Sequence, residues 1–161
     1  MPPQSKTAAA AHMPLPLQRY AAIPLRAIAG GGFIQHGYAK LSRGPDAFAA
    51  ILQTLHVPFP HFSAYLTIGV ELFGGAALLV GAFVALVSIP TIIVLLTAMF
   101  TVHLPYGFSS IKIKAIVDGR AQFGPPGYEV DLLYIACILA LVLLGPSPWS
   151  IDGYRLRKRN A

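Results

Sequence analysis

Apolar residues run along this chain in four long stretches, separated by segments where Pro, Gly and charge gather. The first stretch, about 20–38, predicts a helix that tolerates Pro24, because the missing N–H of a first-turn proline removes no intrahelical bond. From Ser63 to His103 a single charge, Glu71, interrupts about forty residues, roughly twice the ~20 needed to cross a bilayer. The stretch is therefore expected to fold as two spans, about 64–81 and 84–103. Gly81 is a natural helix stop, with a turn near Ala82–Ala85. Pro90 falls about two turns into the third span, where the carbonyl it frees must be satisfied within the bundle. The fourth span, about 129–144, ends at Gly145-Pro146-Ser147-Pro148.

The intervening segments are short or polar. Phe48, Ile51, Leu52 and Leu55 recur with helical spacing between Pro45 and Leu55. That helix is too short to span and is expected to lie in the membrane interface. A basic loop, Leu104–Tyr128, carries Lys112, Lys114 and Arg120. Residues 1–18 predict a mobile tail, 19–153 the membrane domain, and 154–161 a basic C-terminal tail. A cleaved leader ending near Ile28-Ala29-Gly30 fits less well, since Arg26 interrupts the apolar stretch and the leading region has little charge.

Composition changes the picture in one respect. Only 11% of the 161 residues are charged, against roughly 25% in a soluble domain, so the expected class is an all-α integral membrane four-helix bundle. Four spans place both termini on one side. Six cationic residues lie there (Lys6, Arg19, Arg155, Arg157, Lys158, Arg159) against five on the other (Lys40, Arg43, Lys112, Lys114, Arg120). The dense C-terminal cluster favours cytoplasmic termini in a cell (inner) membrane, multi-pass protein. The net charge of +6 suits anionic lipid headgroups, and no nucleic-acid motif is present. Cys137, the only cysteine, excludes an intramolecular disulfide and a cysteine-held cluster.

Candidate chemistry rests on the few polar residues within or beside the spans. An ionisable group in a spanning helix costs about 2.5–3.5 kcal/mol on insertion scales and usually faces a partner. Arg26 and Glu71 sit at depths expected to differ by roughly 9 Å at about 1.5 Å per residue. A long arginine covers most of that, which predicts an Arg26–Glu71 ion pair. The pair serves either structure or a proton or ligand site. A second group gathers toward the opposite surface: His36 and Lys40 on one helical face, His103 ending span three, and Glu129 and Asp131 beginning span four. With Glu71 they are expected to line one polar pocket. Each also has a plainer role, such as snorkelling for Lys40, capping for His103 or a helix-dipole contact for Glu129. Ligand spacings for a metal are lacking, so no metal site is expected. Gly30-Gly31-Gly32, Ala27 with Gly31 and Ala77 with Gly81 suggest close helix packing.

In order along the chain, several short pieces form a pattern. They are Arg26, His36-Gly37-Tyr38-Ala39-Lys40, Leu55-His56-Val57-Pro58-Phe59-Pro60, Val70-Glu71-Leu72-Phe73-Gly74-Gly75, His103-Leu104-Pro105-Tyr106-Gly107-Phe108, Gly127-Tyr128-Glu129, Leu143-Leu144-Gly145-Pro146 and Ser150-Ile151-Asp152. This pattern, over about 19–153, resembles the DoxX family of small four-helix membrane proteins. The segment Ser109–Phe123 lies outside it. The resemblance implies a four-helix bundle with cytoplasmic termini. The family name is attached to the small subunit of a thiosulfate:quinone oxidoreductase, and other members look like scaffolds for redox or detoxifying enzymes.

Three functions fit these residues. An anchor, scaffold or assembly subunit of a membrane redox system needs no cofactor and a protein partner. A quinone-linked oxidoreductase subunit uses Glu71, His36 and His103 as a proton relay, with Arg26 or Lys40 on a quinone carbonyl. Its electrons come from a partner or a bound cofactor, because no haem, flavin or iron–sulfur motif is present. A lipid or small-molecule carrier needs a homo-oligomer to make room for alternating access. Whether the chain is itself an enzyme is left open by the sequence.

Overall fold

A computed structural model describes residues 19–161; the expected mobile tail, 1–18, lies outside the described residues. Helix α1, Ala22–Arg43, is followed by the short α2, Pro45–Thr54. A second long helix, Pro60–Val80, is built of α3 (Pro60–Gly69), a π-helical turn (Val70–Gly74) and α4 (Gly75–Val80). Then come α5 (Val84–Ala98), a second π turn (Met99–His103) and a 3₁₀ turn (Leu104–Tyr106). Strands β1 (Ile113–Val117) and β2 (Arg120–Phe123) precede α6 (Glu129–Leu144) and α7 (Ile151–Arg159).

Two of these helical stretches, Pro60–Val80 and Val84–Tyr106, are long and apolar enough to cross a membrane. Leu86, Ile89, Ile93 and Phe100 on the second are 57–66% exposed. A helix of a water-soluble protein hides such a face, whereas one in lipid presents it.

Backbone contact sets the register of the bundle. A Cβ on Gly30 would lie 2.6 Å from the Leu79 nitrogen and 2.7 Å from the Gly75 oxygen. One on Gly75 would lie 2.9 Å from the Gly30 oxygen. The helices therefore cross where neither has a side chain, the close approach that small residues permit in membranes. Gly31, by contrast, meets nothing within 4 Å, so one glycine of the triplet carries this crossing. Around it Ala22, Ala29, Phe33, Leu78, Ile138 and Leu141 form the core between α1, α4 and α6. Ala49 and Leu52 of α2 pack on Ala64 of α3 in a smaller cluster.

The turn between the two apolar helices is pinned from a distance. Gly81 adopts the left-handed conformation (φ 66°) that ends α4. Phe83, at φ 49°, begins α5 without a capping side chain of its own. Asp152 supplies the cap, its Oδ1 accepting from the Phe83 N–H at 2.9 Å and its Oδ2 from the Val84 N–H at 3.0 Å. The Asp152 N–H donates to the Gly81 carbonyl at 3.0 Å. The expected basic tail is thus largely helix α7, started by Ser150, whose Oγ accepts from the Gly153 N–H at 3.0 Å.

The basic loop also has structure, which adds a β element to the expected all-α fold. Strands β1 and β2 pair antiparallel, with Val117 opposite Arg120. Asp118 (φ 50°) and Gly119 (φ 72°) make the two-residue turn that suits the twist of a hairpin. Every hairpin strand residue is exposed. Its base is tied to α6, where the Tyr128 and Glu129 N–H groups donate to the Gly107 and Phe108 carbonyls at 3.1 and 3.0 Å.

Candidate functional site

The ionisable residues of the bundle form two separated groups. At the end of the bundle away from Ala22 and α7, Glu71 is buried in the first π turn. Lys40 Nζ, near the C-terminal end of α1, reaches both Glu71 carboxylate oxygens at 2.7 Å. The lysine side chain is 25% exposed and the glutamate 6%. A single ammonium placed between two carboxylate oxygens is a strong charge-assisted contact. It fastens α1 to the helix Pro60–Val80 one turn beyond the glycine crossing. Gly37 makes room for it, since a Cβ there would lie 3.0 Å from the Glu71 Cβ.

The expected Arg26–Glu71 pair is not formed. Glu71 lies level with Gly37, whose Cβ would come 3.0 Å from the Glu71 Cβ. Arg26 is eleven residues before Gly37, or roughly 16 Å along the axis. Side-chain direction adds to the separation. Helical side chains lean toward the N-terminus of their own helix, so Arg26 leans away from Glu71 and Lys40 leans toward it. For the same reason Lys40 turns inward and does not snorkel. Arg26 is instead buried at the terminal end, where its Nη1 donates to the Trp149 carbonyl at 3.1 Å.

Near the same end as Glu71, His103 closes the second π turn and its Nδ1 lies 2.6 Å from Asp131 Oδ2 at the start of α6. Asp131 is buried and His103 half-buried. His36 is exposed and stands edge-on to Tyr134 with ring centroids 6.4 Å apart. The Tyr134 hydroxyl in turn rests against Gly32. Glu129 goes elsewhere: its Oε2 accepts from the Ser110 N–H at 3.0 Å, holding the loop before the hairpin. The anticipated single pocket therefore resolves into two braces, the ion pair Lys40–Glu71 and the hydrogen-bonded His103–Asp131, with His36 and Tyr134 beside them and Glu129 in the loop.

Chemically the arrangement offers two buried carboxylates, each with a cationic or titratable partner. Among the described residues no three His, Cys, Asp or Glu side chains gather as a metal site would require. Asp131, expected in one pocket with Glu129, stands only two residues from it and so on a different face of α6. Its partnership with His103 follows from packing between α5 and α6.

The segment that carries this geometry also carries the likeness to known proteins. No curated protein and no solved structure matches the chain. A family model described as DoxX matches residues 21–104. The matched segment contains Arg26, His36, Lys40, Glu71 and His103, both π turns and the glycine crossing, while the hairpin, α6 and α7 lie beyond it. The match covers just over half of the 161 residues, and the chain belongs to the DoxX family of membrane proteins.

Proposed function

We propose that this chain is a multi-pass protein of the cell (inner) membrane that acts as an anchor, scaffold or assembly subunit for a membrane-associated redox system. In this role α1, Pro60–Val80, α5 and α6 are its four spans, and both termini face the cytoplasm. The observation that carries the proposal is the internal pairing of the buried charges. Glu71 is engaged at both oxygens by Lys40, and Asp131 is held by His103. Such pairs join helices and leave the chemistry to a partner. The exposed hairpin, bearing Lys112, Lys114 and Arg120 near it, is the surface offered to that partner. The redox setting rests on the family likeness.

A quinone-linked subunit with a Glu71, His36 and His103 relay is the second proposal, favoured by one feature. Glu71 and His103 both sit in π turns, and π-bulges are frequent at functional sites. The double substitution Lys40→Met with Glu71→Leu separates the two. For a scaffold, the protein still accumulates in the membrane and still restores the phenotype of a strain lacking it. For a relay, the protein accumulates and the phenotype is lost.

A further inference from the structure

Arg26 lies at the other end of the bundle from Lys40 and Glu71 and, among the described residues, has no ion-pair partner. It is 5% exposed. Its Nη1 donates to the Trp149 carbonyl at 3.1 Å, and its Nε, enclosed, has no acceptor among the described residues. Nη2 has no hydrogen-bond partner among the described residues. No carboxylate lies within 4.0 Å of the guanidinium among them. Asp152 is the acidic neighbour, and both of its oxygens are taken by the Phe83 and Val84 N–H groups. A buried ion left in this condition is costly unless something supplies the missing charge.

Beside this guanidinium is a cavity of about 180 Å³, lined by Arg26, Gly81, Ser147, Ser150 and Asp152 among apolar walls. It exceeds the ~150 Å³ of an apolar cavity that accepts benzene. Ala85 and Val142, on α5 and α6, form an exposed part of its lining, so the cavity is bounded on that side by the face the bundle turns to lipid. The lining holds one cation, Arg26, and one acid, Asp152, and further cations follow Asp152 along the chain. Arg155, Arg157, Lys158 and Arg159 of α7 are exposed nearby in sequence, and the Arg155 guanidinium lies 4.2 Å from the centre of the Phe83 ring.

We propose that this cavity binds a phosphate group, held by the Arg26 guanidinium. Nε is sealed within the protein, and Nη2, which has no partner among the described residues, is the nitrogen left to donate to a phosphate oxygen. Gly81 is part of the site because a side chain there would strike Arg26 Nη1 and would lie 2.6 Å from the Ser150 Cβ. The phosphate belongs either to a phospholipid entering between α5 and α6 or to free phosphate from the aqueous side.

The full chain is purified in a phosphate-free glycolipid nanodisc, and its thermal unfolding is compared with that in phosphatidylglycerol nanodiscs. Inorganic phosphate is then titrated into the glycolipid discs. Trp149, the only tryptophan, reports the site by its fluorescence. Stabilisation by phosphatidylglycerol alone identifies the lipid. Stabilisation by inorganic phosphate identifies the free anion. In either case Arg26→Gln is expected to weaken the apparent affinity about tenfold or more. Because that variant removes a buried group, Ala85→Phe is tested beside it: it fills the cavity from its exposed side, keeps Arg26, and is expected to abolish the effect in a folded protein. No response to either phosphate source, or an equal response in Ala85→Phe, overturns the proposal.

Discussion

Breaking the Lys40–Glu71 brace one side at a time should give unequal losses. At an effective dielectric of about 20, two unit charges 2.7 Å apart attract by roughly 6 kcal/mol before desolvation. Desolvation removes much of that, and removing one partner of a buried pair typically costs about 3–5 kcal/mol because the survivor is stranded. The two survivors differ. Lys40→Met leaves a carboxylate that is only 6% exposed. Glu71→Leu leaves a lysine that is 25% exposed near the end of α1 and free to extend outward. Lys40→Met is therefore expected to cost about 3–4 kcal/mol and Glu71→Leu about 1–2 kcal/mol. The double variant, an apolar pair of similar size, should lie within about 1 kcal/mol of the parent. The assay is unfolding in mixed micelles by added dodecyl sulfate, followed by far-UV circular dichroism, for all four proteins. A coupling below about 0.5 kcal/mol, the level of independent sites, refutes the brace. So does a larger loss for Glu71→Leu than for Lys40→Met.

Three other outcomes follow from the same geometry. Gly30→Ala inserts a methyl against the backbone of Leu79 and Gly75, and is expected to destabilise by about 2–3 kcal/mol in the same assay; a change within about 0.5 kcal/mol would show that the helices part freely there. Asp152→Ala removes the cap of α5 and should cost about 1 kcal/mol, with faster hydrogen exchange at the Phe83 and Val84 amides; unchanged exchange at both would place the cap elsewhere. In a Cys137→Ala background, single cysteines at Ser42 and Gln122 should label from the side opposite to one at Asn160, and labelling of all three from one side rules out four spans.

How far the sequence carried this picture depended on the kind of contact involved. Local stops were legible: Gly81 ends a helix because it alone of its neighbours takes φ 66° without strain, and Pro45 opens the short amphipathic α2. The DoxX likeness was legible because its pieces are local too. Register between helices was not. It is set by the backbone contact of Gly30 with Gly75, and nothing in either stretch alone says which glycine of the triplet faces which. Since Glu71 finds its partner only through that register, the sequence favoured Arg26 over Lys40. The hairpin had a readable signal, Asp118-Gly119 between short runs containing Ile116-Val117 and Phe123, which the basic charge of the loop obscured. Helix α7 likewise had its cap, Ser150, in the sequence, but the bond from Asp152 to the start of α5 joins residues 68 and 69 apart and only the fold brings them together. The π turns depend on packing and left no mark in the spacing of apolar residues.

The central claim is that the buried acids and bases hold the bundle together and carry no protons to a cofactor. The most direct test is organic extraction of the full chain purified in mild detergent, with mass spectrometry for quinone and flavin and with Glu71→Gln alongside. An anchor yields neither cofactor at stoichiometric level from either protein. Stoichiometric quinone in the parent, lost from a folded Glu71→Gln protein, contradicts the claim and makes Glu71 part of a quinone site.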